Sequence, residues 1–132
     1  MLPHDPRTLL AIYAGGVAGA LIRVGLAQAA SAGPGEWPWA TFAVNMAGAL
    51  LLGYFFALLR DHSEESLAHP FLGTGICGTL TTFSTLQLEL FEMVDRGHIS
   101  LAATYCLATV AAGFVFVRLG IGLEERRPKA AR

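Results

Sequence analysis

Charged side chains in this sequence gather into clusters, at Asp5 and Arg7, from Arg60 to Glu65, from Glu89 to His98 and from Arg118 to the C-terminal end, and long apolar stretches separate them. That spacing constrains the fold more than any other feature. A helix crossing a hydrocarbon core of roughly 30 Å needs about 20 mostly apolar residues, and the stretches 9–30, 38–59, 70–94 and 99–122 all reach that length. With 54% hydrophobic and only 14% charged residues, the chain lies outside the range of ordinary water-soluble domains. The expected class is an all-α membrane protein with four transmembrane helices in one transmembrane domain, 1–132, ending in a basic tail over 123–132.

Residues 31–37 carry turn chemistry, 60–69 are polar, and the link 95–98 is so short that the third and fourth spans must be antiparallel neighbours. A cleavable signal peptide describes the first span poorly, because that span is too long, holds Arg23 and lacks a charged start. Nor is there the sustained period-two alternation of a membrane barrel. Cys77 and Cys106 fall inside spans, where cysteine usually acts as a small apolar residue. His4, His62, His69 and His98 lie at or beyond span ends with no metal-site spacing.

An even number of spans places both termini and the 60–69 loop on one side. Arg7 and Arg60 on that side oppose Arg96 and the intramembrane Arg23, and only Arg126, Arg127, Lys129 and Arg132 tip the balance. By the positive-inside rule the termini are expected inside, or the chain inserts both ways if the tail is too distal to count. A chain this small makes a thin bundle, so oligomerisation is expected. Small residues recur four apart at Gly15 and Gly19, Ala49 and Gly53, Ala108 and Ala112, and Thr109 and Gly113, a spacing that lets helices approach closely in lipid.

Polar residues inside the spans are costly there, and function is sought among them. Arg23 should face protein or snorkel to the interface. Thr41 and Asn45, one turn apart, share a helix face that continues through Gly48 and Ala49. From Gly73 to Thr85 the third span is rich in glycine and hydroxyl side chains and is a poor continuous helix. A break is expected within it, tolerated at membrane depth only on a subunit interface or a water-filled path. Gly73, Gly75 and Gly78 match the spacing of a dinucleotide-binding fingerprint, but no strand precedes them, so neither a nucleotide nor a nucleic acid is an expected partner. In the fourth span Tyr105, Thr109 and Gly113 form one stripe, with Phe116 near it.

Thr41, Asn45, Thr82, Ser84, Thr85, Tyr105 and Thr109 thus supply neutral hydrogen-bond donors with almost no fixed cations beside them. Such a set suits a small anion that is partly stripped of water and released again, and the positive edge of a phenylalanine ring can join it. On the residues alone, the permeant has no further identity.

The segments 15–23 (Gly-Gly-Val-Ala-Gly-Ala-Leu-Ile-Arg), 41–48 (Thr-Phe-Ala-Val-Asn-Met-Ala-Gly) and 78–85 (Gly-Thr-Leu-Thr-Thr-Phe-Ser-Thr) resemble the motifs of the Fluc, or CrcB, fluoride channels, and the match covers nearly the whole chain. The resemblance implies passive export of toxic fluoride by an antiparallel, dual-topology dimer, with two fluoride pathways at the interface and a structural sodium ion at the centre. It implies that Asn45 donates its amide to fluoride, that Phe83 offers its ring edge, that Tyr105 and Thr109 line the path, and that Arg23 draws anions into a vestibule. It also implies that the backbone carbonyls of Gly78 and Thr81 from both subunits hold the sodium. Family members usually carry a second Phe where this chain has Leu86, which lacks an aromatic edge. Together with the one-sided basic tail, this raises a heterodimer with a sister chain as the alternative to a homodimer.

The main rival is a four-helix multidrug or cation exporter, which wants a membrane-embedded carboxylate. The first span offers Arg23 instead, and Glu89 and Glu92 fall near the end of the third span, where water is expected to reach them. An inert assembly factor does not account for the hydroxyl-rich third span. Enzymes are not expected, since no Ser and His fall together within the spans.

Overall fold

The computed structural model describes residues 5–29, 33, 35–60 and 66–126. Outside these lie His4 and His62, parts of the 31–37 and 60–69 links, and Arg127, Lys129 and Arg132 of the basic tail. The described chain is helical and, among the described residues, holds no strand. It comprises α1 (Pro6–Ala29), α2 (Trp39–Leu59), a π-helix π1 (His69–Cys77), the short α3 (Gly78–Leu80), α4 (Phe83–Asp95) and α5 (Ile99–Glu125). Three of these, α1, α2 and α5, are long and apolar enough to cross a membrane alone. The third stretch is divided among π1, α3 and α4. Leu123 to Glu125, at the start of the expected tail, continue α5.

Local chemistry sets the ends. Asp5 Oδ1 accepts the Arg7 amide at 3.0 Å, and Pro6 occupies the first helical position, where its missing N–H costs nothing. At the other end of the third stretch, the Gly97 amide donates to Val94 O at 3.0 Å and the His98 amide to Met93 O at 2.7 Å. Gly97 has φ +81°. These bonds and that left-handed glycine form a Schellman stop, which turns the chain sharply from α4 into α5.

Packing follows the small residues. A Cβ at Gly15 would collide with the Phe71 carbonyl oxygen, so α1 and π1 touch backbone to backbone there. Between α2 and α5, a Cβ at Gly53 would strike the Val117 carbonyl and one at Gly120 the Leu50 carbonyl. Gly15 and Gly53 belong to the four-apart pairs visible in sequence, and both serve close helix approach. Where α4 meets α5, Leu86, Met93, Ala102 and the fully buried Tyr105 form an apolar cluster, with Trp37, Phe42, Leu90 and Leu101 packed against it.

Large apolar side chains cover the outside. Leu10, Tyr13, Leu107 and Phe114 are all mostly exposed, while Thr41, Thr82 and Thr109 are buried. A water-soluble domain would invert that arrangement. Such an exterior fits hydrocarbon, and the chain is a multi-pass membrane protein.

Candidate anion site and the family of the chain

The site begins where helical hydrogen bonding stops. The Thr81 amide still reaches Cys77 O at 3.2 Å, but Thr81 (ψ 152°) and Thr82 (φ −139°, ψ 116°) are extended. Asn45 of α2 lies beside this pair. Its Oδ1 accepts the Thr82 amide at 2.8 Å, and its Nδ2 donates to the Thr82 carbonyl at 3.2 Å. One primary amide thus serves both backbone groups of a residue that has left the helix, where unpaired groups would carry a desolvation cost.

Thr82 then caps α4. Its Oγ1 accepts the Thr85 amide at 3.2 Å, meets Thr85 Oγ1 at 2.9 Å and lies 3.4 Å from Ser84 Oγ. On the other flank, Thr79 Oγ1 lies 2.9 Å from the carbonyl oxygens of both Gly16 and Gly75, pinning this stretch to α1.

Arg23 reaches the same region from α1. It lines a cavity of about 210 Å³ with Thr41, Val44, Thr82 and Thr85. Its Nε is buried and has no hydrogen-bond partner among the described residues. The first turn of α4 opens on this cavity, so a guanidinium, hydroxyls and a helix N-terminus converge on one small volume. That combination favours a negative charge.

A second cavity, about 240 Å³, lies toward the other end of α4 and is lined by Glu36, Glu89, Glu92 and Arg96 among others. Glu89 joins the two. Its Oε1 accepts the Thr41 hydroxyl at 2.5 Å and its Oε2 accepts the Tyr105 hydroxyl at 2.8 Å. Behind Tyr105, the Trp37 ring stands edge-on at 5.1 Å. Thr109, one turn along α5, has a buried hydroxyl without a partner among the described residues.

The structure therefore gathers Arg23, Thr41, Asn45, Thr82, Ser84 and Thr85 around the start of α4, and ties Tyr105 to Thr41 through Glu89. It does not bring Phe83 inward: that ring is 72% exposed on the protein's flank. Leu86 is buried in the cluster with Tyr105. The sequence places Glu89 near the end of a span, within reach of water, and does not show what it contacts. The available signal was its position four residues after Thr85, on the same helix face as a candidate site residue.

The family described as CrcB-like protein, Camphor Resistance (CrcB), matches residues 10–121. The chain belongs to the CrcB family. Among curated relatives it is similar to fluoride-specific ion channel FluC 1 of Mycolicibacterium paratuberculosis, with 47% identity over 127 residues, 96% of each chain. Fluoride-specific ion channel FluC 2 of Nocardia farcinica is 39% identical across 98% of this chain and 94% of its own. Fluoride-specific ion channel FluC of Phocaeicola vulgatus is 36% identical across 90% and 99%. The matched CrcB region takes in the site residues from Arg23 on α1 to Thr109 on α5.

Proposed function

We propose that this CrcB chain is the subunit of a fluoride-selective channel that exports fluoride passively across the cell membrane and so lowers its toxicity. The observation that carries the reading is its 47% identity, over 96% of both chains, to a relative named a fluoride-specific ion channel. The site chemistry supports it. Conduction needs binding strong enough for entry and weak enough for exit, and the interior offers hydroxyls and an amide with a single guanidinium at the edge.

In this account Arg23 draws the anion into the first cavity, where the Thr85 hydroxyl, which accepts from Thr82, replaces part of its water. Thr41 and Thr82 form the wall with their own protons given to Glu89 and Thr85, and Ser84 adjoins them. Among the described residues Asn45 commits one N–H of its amide, to Thr82 O, and the other is left for the anion. Along α5 Thr109 continues the path with a hydroxyl that has no partner among the described residues, and Tyr105 lines it with its O–H held by Glu89.

Phe83 supports the finer part of the proposal. An aromatic edge on a protein flank borders a closed path only when another chain covers it, which fits an antiparallel dimer with two pathways at its interface. The second chain is another copy or a sister, and membrane lipid surrounds both. The third transmembrane pass is then a broken helix, interrupted at Thr81 and Thr82 where the subunits meet.

A structural sodium ion fits the residues at that place. Gly78 is exposed, with nothing within 4 Å of where its Cβ would stand, and Thr81 is half-buried. The carbonyls of these two residues would hold the ion with their counterparts in the second subunit, as a hard cation prefers oxygen. Bound there, it would supply the positive charge that links the two chains.

One observation favours the exporter reading. Glu89 is a half-buried carboxylate, the group a proton-coupled exporter requires, but both its oxygens are already engaged by Thr41 and Tyr105. Growth separates the two readings. In bacteria lacking their own fluoride exporter, the chain should restore growth on millimolar-range fluoride and leave resistance to cationic drugs unchanged. Drug resistance without fluoride resistance would favour the exporter.

A further inference from the structure

The hydrogen bonds around Thr82 point to a role for two side chains that goes beyond contact with the permeant. In a continuous α-helix each amide donates to the carbonyl four residues back. The Thr82 amide would donate to Gly78 O, and the Thr85 amide to Thr81 O. Neither does so. The Thr82 amide goes to Asn45 Oδ1 at 2.8 Å, and the Thr85 amide to Thr82 Oγ1 at 3.2 Å. The two carbonyls relieved of their helical donors are Gly78 O and Thr81 O, the pair to which the sodium is assigned above.

We infer that Asn45 and Thr82 are positioning residues for the cation: the Asn45 side chain takes the amide that would claim the Gly78 carbonyl, and the Thr82 side chain takes the amide that would claim the Thr81 carbonyl. This rests on the sodium reading and deepens it. A carbonyl already accepting a short, straight hydrogen bond directs electron density toward that proton, leaving less for a metal ion. Diverting the donors to side chains costs little, because each amide keeps a partner, and Gly78 itself lies exposed on the flank.

The second bond of Asn45 holds the arrangement open. With Nδ2 donating to the Thr82 carbonyl at 3.2 Å, the extended residue is clamped on both sides, and closing it into a helix would break both contacts. Asn45 therefore serves two ends at once, since its second N–H is the one proposed to meet the anion while its oxygen keeps the cation's ligands free. Any loss of fluoride transport on removing it mixes the two roles, so transport alone cannot separate them.

Sodium binding measured directly can. The chain is purified without sodium in detergent, and its melting temperature and sodium content are followed as sodium replaces N-methyl-glucamine at constant ionic strength. A ligand that binds only the folded protein raises the melting temperature as its concentration passes the dissociation constant. The wild type should respond. Asn45→Leu, which fills similar space without an acceptor, and Thr82→Val, which removes the Thr85 acceptor, should each raise the sodium midpoint by about tenfold or more. Asn45→Asp retains an acceptor for the Thr82 amide and should keep the response. Thr41→Val, which breaks the Glu89 bond away from the extended pair, should leave the midpoint unchanged.

A wild type indifferent to sodium, with none in elemental analysis, would remove the sodium reading and this inference with it. A responding wild type whose midpoint is unmoved in Asn45→Leu and Thr82→Val would overturn the inference alone. Equal midpoint shifts in Thr41→Val would also overturn it, by marking the effect as general destabilisation. If Asn45→Leu does not fold, Thr82→Val and Asn45→Asp decide between these results.

Discussion

Thr41 on α2 and Glu89 on α4, 48 residues apart in the chain, meet in a 2.5 Å hydrogen bond from hydroxyl to Oε1. Thr41 lines the cavity beneath Arg23 and Glu89 lines the cavity beside Arg96. The bond therefore ties a wall residue of one cavity to a wall residue of the other, and the buried Tyr105 hydroxyl closes on the same carboxylate at 2.8 Å.

Replacing Glu89 by Ala should lower stability by about 1–3 kcal/mol, because it leaves the Tyr105 hydroxyl buried with no acceptor and opens space beside it. Tyr105→Phe removes the donor and keeps the ring against Trp37, so it should cost about 1 kcal/mol. Denaturant or thermal unfolding in detergent checks the ranking. An Ala variant as stable as the Phe variant would mean that the hydroxyl finds another partner.

Two glycines on α5, two positions apart, should respond in opposite directions. A methyl at Gly120 would run into the Leu50 carbonyl and the Tyr54 amide of α2, whereas nothing lies within 4 Å of one at Gly122. Gly120→Ala should cost about 1–3 kcal/mol through forced separation of the helices. Gly122→Ala should be neutral or stabilise by up to about 1 kcal/mol from helix propensity. Melting temperatures of the two variants, compared in the same detergent, give the test.

Leu86→Phe would supply the second ring that the family resemblance leads one to expect at this position. Leu86 is buried against Tyr105 and Met93, and a larger side chain there should overpack the cluster at a cost of about 1–3 kcal/mol. The variant should melt lower and conduct fluoride no faster than the parent. Faster flux at unchanged stability would mean that position 86 faces the pathway.

Much of this architecture is legible in sequence because it depends on local length and composition. Stretches of the right length between charge clusters locate the passes, and the density of glycine and hydroxyl residues after Gly73 marks the region where Thr81 and Thr82 are extended. Contacts between distant residues leave no such periodic trace. Asn45 is visible as a costly polar residue, but its pairing with the backbone of Thr82, 37 positions away, has no signature in either segment.

The contacts of Glu89 are illegible in sequence for a related reason. Its place near the end of a span suggests water, and only the packing of α2 and α5 against α4 supplies Thr41 and Tyr105 as donors. The π-helical winding from His69 to Cys77 was also invisible, because glycine and threonine disfavour a regular α-helix without naming the alternative. Finally, Phe83 stands on the flank of the chain, and no pattern in its own segment names what covers it.

The most direct test of the central claim is fluoride efflux from liposomes containing only this purified chain, read with a fluoride electrode and repeated with chloride as the permeant. Rapid fluoride release with negligible chloride release, much reduced in Phe83→Leu, is the result expected of a selective channel formed by this chain alone. No fluoride release from well-folded protein, alone or reconstituted with a candidate sister chain, would contradict the account.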